Sequence, residues 1–160
     1  MGALRDFIEQ KILDSDLSNP FFITEVRIVN TLRHIDSIAF SLDSLSNSGR
    51  SELINYAHNE NYCHWHDHLK PILNEISAGH IWLFEEKDSL VGTEPEYLSV
   101  GQILTYETLF KEVYPSCNIK LGIVCSGTSE YLQNYQKEFL RVCDRFHIRV
   151  FPVLKAKQSP

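Results

Sequence analysis

No apolar run in this chain is long enough to span a bilayer. The segment from Met1 to Asp16 carries scattered charges and no apolar core followed by small residues, so it does not read as a secretion signal. Cysteine is sparse and irregularly spaced. Cys63, Cys117, Cys125 and Cys143 form no CxxC pair and no regular framework. That argues against a disulfide-stapled secreted fold and for reduced thiols in a cytoplasmic protein. Positive charge is in deficit as well: 15 Lys and Arg face 21 Asp and Glu, a net charge of −6. Such a balance counts against a protein that coats nucleic acid by charge alone. There is no internal repeat and no low-complexity tract. No catalytic triad is readable, because the serines and cysteines lack motif context.

What is present suits a globular chain. The 160 residues, 43% apolar and 22% charged, are enough for one α/β domain with a real core over residues 1–160. Leu4, Phe7, Ile8 and Ile12 make an apolar stripe that predicts a first helix over Ala3 to Leu13, stopped by the turn-rich stretch Ser15 to Pro20. Phe21 to Val29 and Ile35 to Leu42 read as strands, joined by a polar link at Asn30 and Thr31 and therefore antiparallel. Ser44 to Arg50 reads as a loop. Two helices are then expected, Glu52 to Asn59 and Trp65 to Ile76, the second kinked at Pro71. Ile81 to Phe84 is a buried strand whose far end turns charged at Glu85-Glu86-Lys87. Val91 to Tyr97 reads as loop and Ser99 to Tyr114 as a helix closed by Pro115. Ile119 to Cys125, Thr128 to Phe146 and Ile148 to Leu154 read as strand, amphipathic helix and strand, a parallel right-handed unit. The sum is a mixed sheet with helices on both faces and a helical insertion at about 44–80.

One constellation could carry chemistry. Residues two apart in a strand share a face, so Glu85 and Lys87 point one way and Glu86 the other. If the strand of Asp36 neighbours theirs, two carboxylates and an ammonium converge. Carboxylates of that kind can hold Mg²⁺ or Mn²⁺ through oxygen. The cation polarises a phosphate, and the lysine stabilises developing negative charge.

Asp36 followed by an apolar strand bearing Glu85-Glu86-Lys87 resembles the PD-(D/E)XK nuclease signature. Gln102 and Tyr106, in GQILTYETLF, are similar to the Q-x-x-x-Y motif of its RecB-like branch. The resemblance implies a restriction-endonuclease-like fold and metal-dependent hydrolysis of DNA, with RNA as the second candidate. Asp36, Glu85 and Lys87 would then be catalytic, with Asp36 and Glu85 as metal ligands and Glu9 of the first helix as an added one. Gln102 and Tyr106 would touch nucleic acid or buttress the strands. The resemblance also suggests a second copy of the chain as a partner, and the long insertion suggests a cover over the site or a docking place for another protein. Two features depart from the family pattern: Ile35 rather than proline precedes Asp36, and the stretch between Asp36 and Glu85 is long.

Other readings compete. E-x-K tripeptides are common, and a second one, Glu9-Gln10-Lys11, lies on the first helix. Ser99-x-x-Gln102 matches a helix capping box. Cys63, His64, His66 and His68, with His58 or His80, suggest a zinc-stabilised interaction domain in which His64 and His68 sit one helical turn apart. Ser126-Gly127-Thr128-Ser129 opens a helix after a strand and reads as an ordinary capping turn. The acidic charge and the long insertion also suit a nuclease-fold module that binds without cutting.

Overall fold

The computed structural model describes residues 2–27, 34–57, 61–87 and 97–155. Helix α1 (Ala3–Glu9) ends earlier than the apolar stripe. Lys11 takes a left-handed backbone conformation (φ 54°), and the chain continues as a 3-10 turn over Ile12–Ser15. Strands β1 (Pro20–Arg27) and β2 (His34–Ser41) pair antiparallel from Pro20 opposite Ser41 to Arg27 opposite His34. The expected link at Asn30 and Thr31 lies outside the described residues.

The insertion departs most from the sequence reading. Ser46 caps α2 (Asn47–Ile54), its hydroxyl accepting the Gly49 N–H, so the Ser/Asn/Gly stretch begins a helix instead of forming a loop. A three-residue strand follows, β3 (Tyr62–His64), which pairs parallel with β1 at Phe22, Ile23 and Thr24. A run this short carries no alternation that a sequence could reveal. After a 3-10 turn at Asp67–Leu69 comes α3 (Lys70–Ile76). Pro71 stands in its first turn, where a missing N–H is harmless, so it starts the helix and does not kink it.

Strand β4 (His80–Lys87) pairs antiparallel with β2. Helix α4 (Tyr97–Val113) then leads to β5 (Asn118–Ser126), parallel to β4. The expected single C-terminal helix is two: α5 (Ser129–Tyr135) and α6 (Lys137–Arg145), broken at Gln136, which leaves the helical region at φ −128° and ψ 34°. Strand β6 (Ile148–Val153) closes the sheet parallel to β5. The result is a six-stranded mixed sheet in the order β3-β1-β2-β4-β5-β6.

Both faces of the sheet are covered, so strands are buried almost without alternation, as β4 is from Ile81 to Glu85. On one face α1 sets Leu4, Phe7 and Ile8 against Phe22, Trp82, Phe84, Val124 and Phe151. On the other face the helices α2 to α6 cover Ile23, Ile38, Leu83 and Ile123. Among the described residues no helix is long and apolar enough to cross a membrane.

Candidate active site

The middle of the sheet brings β2 and β4 side by side. Ser37 pairs with Phe84 and Ile38 with Leu83, and the same register carried one residue further sets Asp36 opposite Glu85. Asp36 reaches across the seam: its Oδ2 accepts the backbone N–H of Glu86 at 2.8 Å. That bond orients the carboxylate and leaves its other oxygen outward, 3.8 Å from His34 Nε2. Glu85 follows Leu83 on the face covered by α4. Glu86 faces the opposite way, where its carboxylate accepts the Leu4 N–H of α1 at 2.6 Å.

Glu85 is the electrostatic centre of the group. It is 6% exposed, and its Oε2 is buried without a hydrogen-bond partner. Its pKa is pushed up to about 8, first by burial and then by the charge of Asp36 and a hydrogen bond with it. Tyr106 and Lys87 oppose that rise, the tyrosine through a hydrogen bond to the Glu85 carboxyl and the lysine through its charge. Tyr106 is itself buried on α4. The structure thus gathers Asp36, Glu85, Lys87 and Tyr106 from β2, β4 and α4.

Gln102 lies one turn before Tyr106 on α4 and is half-buried. Ser99 is already inside that helix, so the capping-box reading of Gln102 fails. Glu9 is not brought to the group. It sits on α1, over the other face of the sheet, and bonds Arg5 at 3.0 Å. His34 is the member that sequence reasoning missed. Its signal was there, because it stands two residues before Asp36 on the same strand.

Two carboxylates pressed together, one keeping an unsatisfied buried oxygen, suit a hard divalent cation, which would relieve both the repulsion and the orphaned acceptor. Asp36 and Glu85 would hold it. Mg²⁺ is commonly bound through one or two carboxylates with water and phosphate completing the shell. Among the described residues no three His, Cys, Asp or Glu side chains form a metal-holding group.

The histidine-rich stretch does not take its expected form. His64 lies in β3 and His68 in a 3-10 turn, so they are not one turn apart on a helix. His64 Nδ1 is engaged by Thr24 Oγ1, and His68 Nδ1 meets the Tyr56 hydroxyl at 3.0 Å. Cys63 faces the core, where burial pushes its thiol up to about 12. His58 lies outside the described residues. Thr128 caps α5 through the Tyr131 N–H at 3.0 Å, as the capping-turn reading expects.

No family model matches this chain, and no curated protein or solved structure matches it either.

Proposed function

We propose that the chain is a Mg²⁺- or Mn²⁺-dependent nuclease of the PD-(D/E)XK kind, with Asp36 and Glu85 as metal ligands and Lys87 as the catalytic lysine. The observation that carries this reading is the meeting of Asp36 and Glu85 at the β2–β4 seam, with an unpartnered buried oxygen on Glu85. The mixed sheet, antiparallel across β1, β2 and β4 and parallel beyond, supports a restriction-endonuclease-like fold.

A divalent cation there supplies Lewis acidity toward a phosphate and a lowered pKa for water. The protein's own groups do the rest. The Glu86 N–H holds the Asp36 carboxylate in one orientation before substrate arrives. Burial keeps a proton on Glu85 until a cation takes its place. Tyr106 holds the Glu85 carboxyl in position, and the Lys87 ammonium balances charge that develops on the phosphate.

The test is cleavage of single-stranded and duplex DNA, and of RNA, by purified protein with Mn²⁺ or Mg²⁺. Asp36→Ala, Glu85→Gln and Lys87→Ala should each abolish cutting while circular dichroism stays that of the parent. A parent protein that cuts none of these substrates overturns the reading. The alternative, a binding module on the same fold, is favoured by the net charge of −6. It predicts no calorimetric Mn²⁺ site that depends on Asp36 and Glu85.

A further inference from the structure

Away from the carboxylates, an open cleft of about 420 Å³ lies between the start of α4 and the outer face of α6, lined by Tyr97, Glu138, Arg141, Val142 and Arg145. Its chemistry differs from that of the surrounding chain. Arg141 and Arg145 are one turn apart on α6, and Lys137 continues their stripe one turn earlier. All three are exposed. Among the described residues neither arginine has a hydrogen-bond or ion-pair partner. The facing aromatic, Tyr97, is 48% exposed, and its neighbour Leu98 is 68% exposed. Among the described residues Glu138 is the one acidic group lining the cleft.

We propose that this cleft binds the backbone of a single nucleic-acid strand, with Arg141 and Arg145 on successive phosphates and Tyr97 stacked on a base. Positive groups spaced about 6 Å apart along a helix face match the repeat of an extended strand. An exposed ring opposite them is the stacking platform that sequence-tolerant strand binding uses. Guanidinium forks are suited to phosphate, and two exposed ones without an ion pair stand in a single cleft of an otherwise acidic chain. The link to cleavage rests on the hydrolytic reading. Tyr97 and Tyr106 share α4, about 13 Å apart along its axis, so one helix carries both the cleft and a partner of Glu85.

The test is fluorescence anisotropy of labelled oligothymidylate and oligouridylate, in EDTA so that nothing is cut, over a range of salt. The parent should bind at least one of the two. Arg141→Gln/Arg145→Gln should weaken binding at least tenfold and reduce the salt slope by about 1.4, at about 0.7 per phosphate contact. Tyr97→Ala should weaken it about fivefold or more with the salt slope unchanged. Because the cleft residues are exposed, melting temperature serves as a check on folding, and Arg141→Lys/Arg145→Lys is the second variant, expected to restore the salt slope. A parent that binds neither strand, or a folded double variant that binds like the parent, overturns the inference. Binding that depends on the arginines without any cutting in Mn²⁺ sinks the hydrolytic reading and leaves this one standing. Cutting with an unchanged KM in the double variant does the reverse.

Discussion

At the scale of the residue, Glu85 sets the chemistry. Its pKa is pushed up to about 8 in the folded chain against an ordinary 4.5. A carboxyl raised in this way holds its proton more tightly folded than unfolded. Its contribution to stability is therefore complete below about pH 4.5 and is lost as pH rises toward 8. Glu85→Gln keeps the shape and cannot ionise. In EDTA the variant should be the more stable protein, by up to about 3 kcal/mol near pH 7, since one pKa unit is about 1.4 kcal/mol. Urea melts at pH 5 and pH 7.5 check this, and a gap that does not widen with pH contradicts it. The same proton must leave when a cation binds. Mn²⁺ affinity should rise up to about tenfold per pH unit through neutrality and level off above pH 8, with about one proton released per ion. Tyr106→Phe removes a hydrogen bond that favours the ionised form, so the levelling point should move to higher pH. Calorimetry in buffers of different ionisation enthalpy reads both. A sequence names these side chains but cannot supply the pKa, because the shift arises from burial and from a carboxylate 49 positions away in the chain.

At the scale of the element, the β4–β5 pair shows how tightly the strands beside the site are built. Gly122 of β5 stands beside Phe84 of β4. A Cβ added at Gly122 would lie 2.6 Å from the Phe84 ring and 3.0 Å from that of Phe151. Both rings are buried among other rings, with Phe84 and Trp82 stacked at 5.6 Å, so neither can swing aside. Gly122→Ala should therefore cost about 1–3 kcal/mol, although alanine is no worse than glycine in a strand. A thermal melt with a midpoint equal to the parent's would refute this. Helices were legible from their apolar spacing, as Leu4, Phe7 and Ile8 show for α1 and Ile103, Tyr106 and Phe110 for α4. Their ends were less so. The sequence carries no sign that Lys11 adopts a left-handed conformation or that Gln136 leaves the helix. Such breaks are decided by what the next element packs against, and not by local propensity.

At the scale of the whole molecule, one side chain ties α1 to three strands. Phe7 lies edge-on to Phe22 at 5.9 Å and to Phe84 at 5.3 Å, and tilted against Phe151 at 5.0 Å. These rings come from β1, β4 and β6, and Val124 of β5 completes the cluster. Phe7→Ala should cost about 3–5 kcal/mol. It should also loosen the site, because the same helix gives its Leu4 N–H to Glu86, beside the Asp36 bond. Hydrogen exchange at the Glu86 amide reads that effect, and unchanged protection would show that α1 only covers the sheet.

Hydrophobic spacing and the kind of connection decided that this chain builds strands and amphipathic helices, that β1 and β2 turn back on each other, and that β5 and β6 run parallel, because those features depend on period and on whether a short link or a helical crossover joins two strands. It also put Glu85 and Lys87 on one face of a strand, since two residues are one full repeat. Only the tertiary structure decided that Asp36 lies opposite Glu85, that Tyr106 reaches the pair, that His34 stands nearby and that Glu9 does not. Strand order and the choice of face are set by how the two cores close, through contacts between residues far apart in the chain, and no local pattern records them.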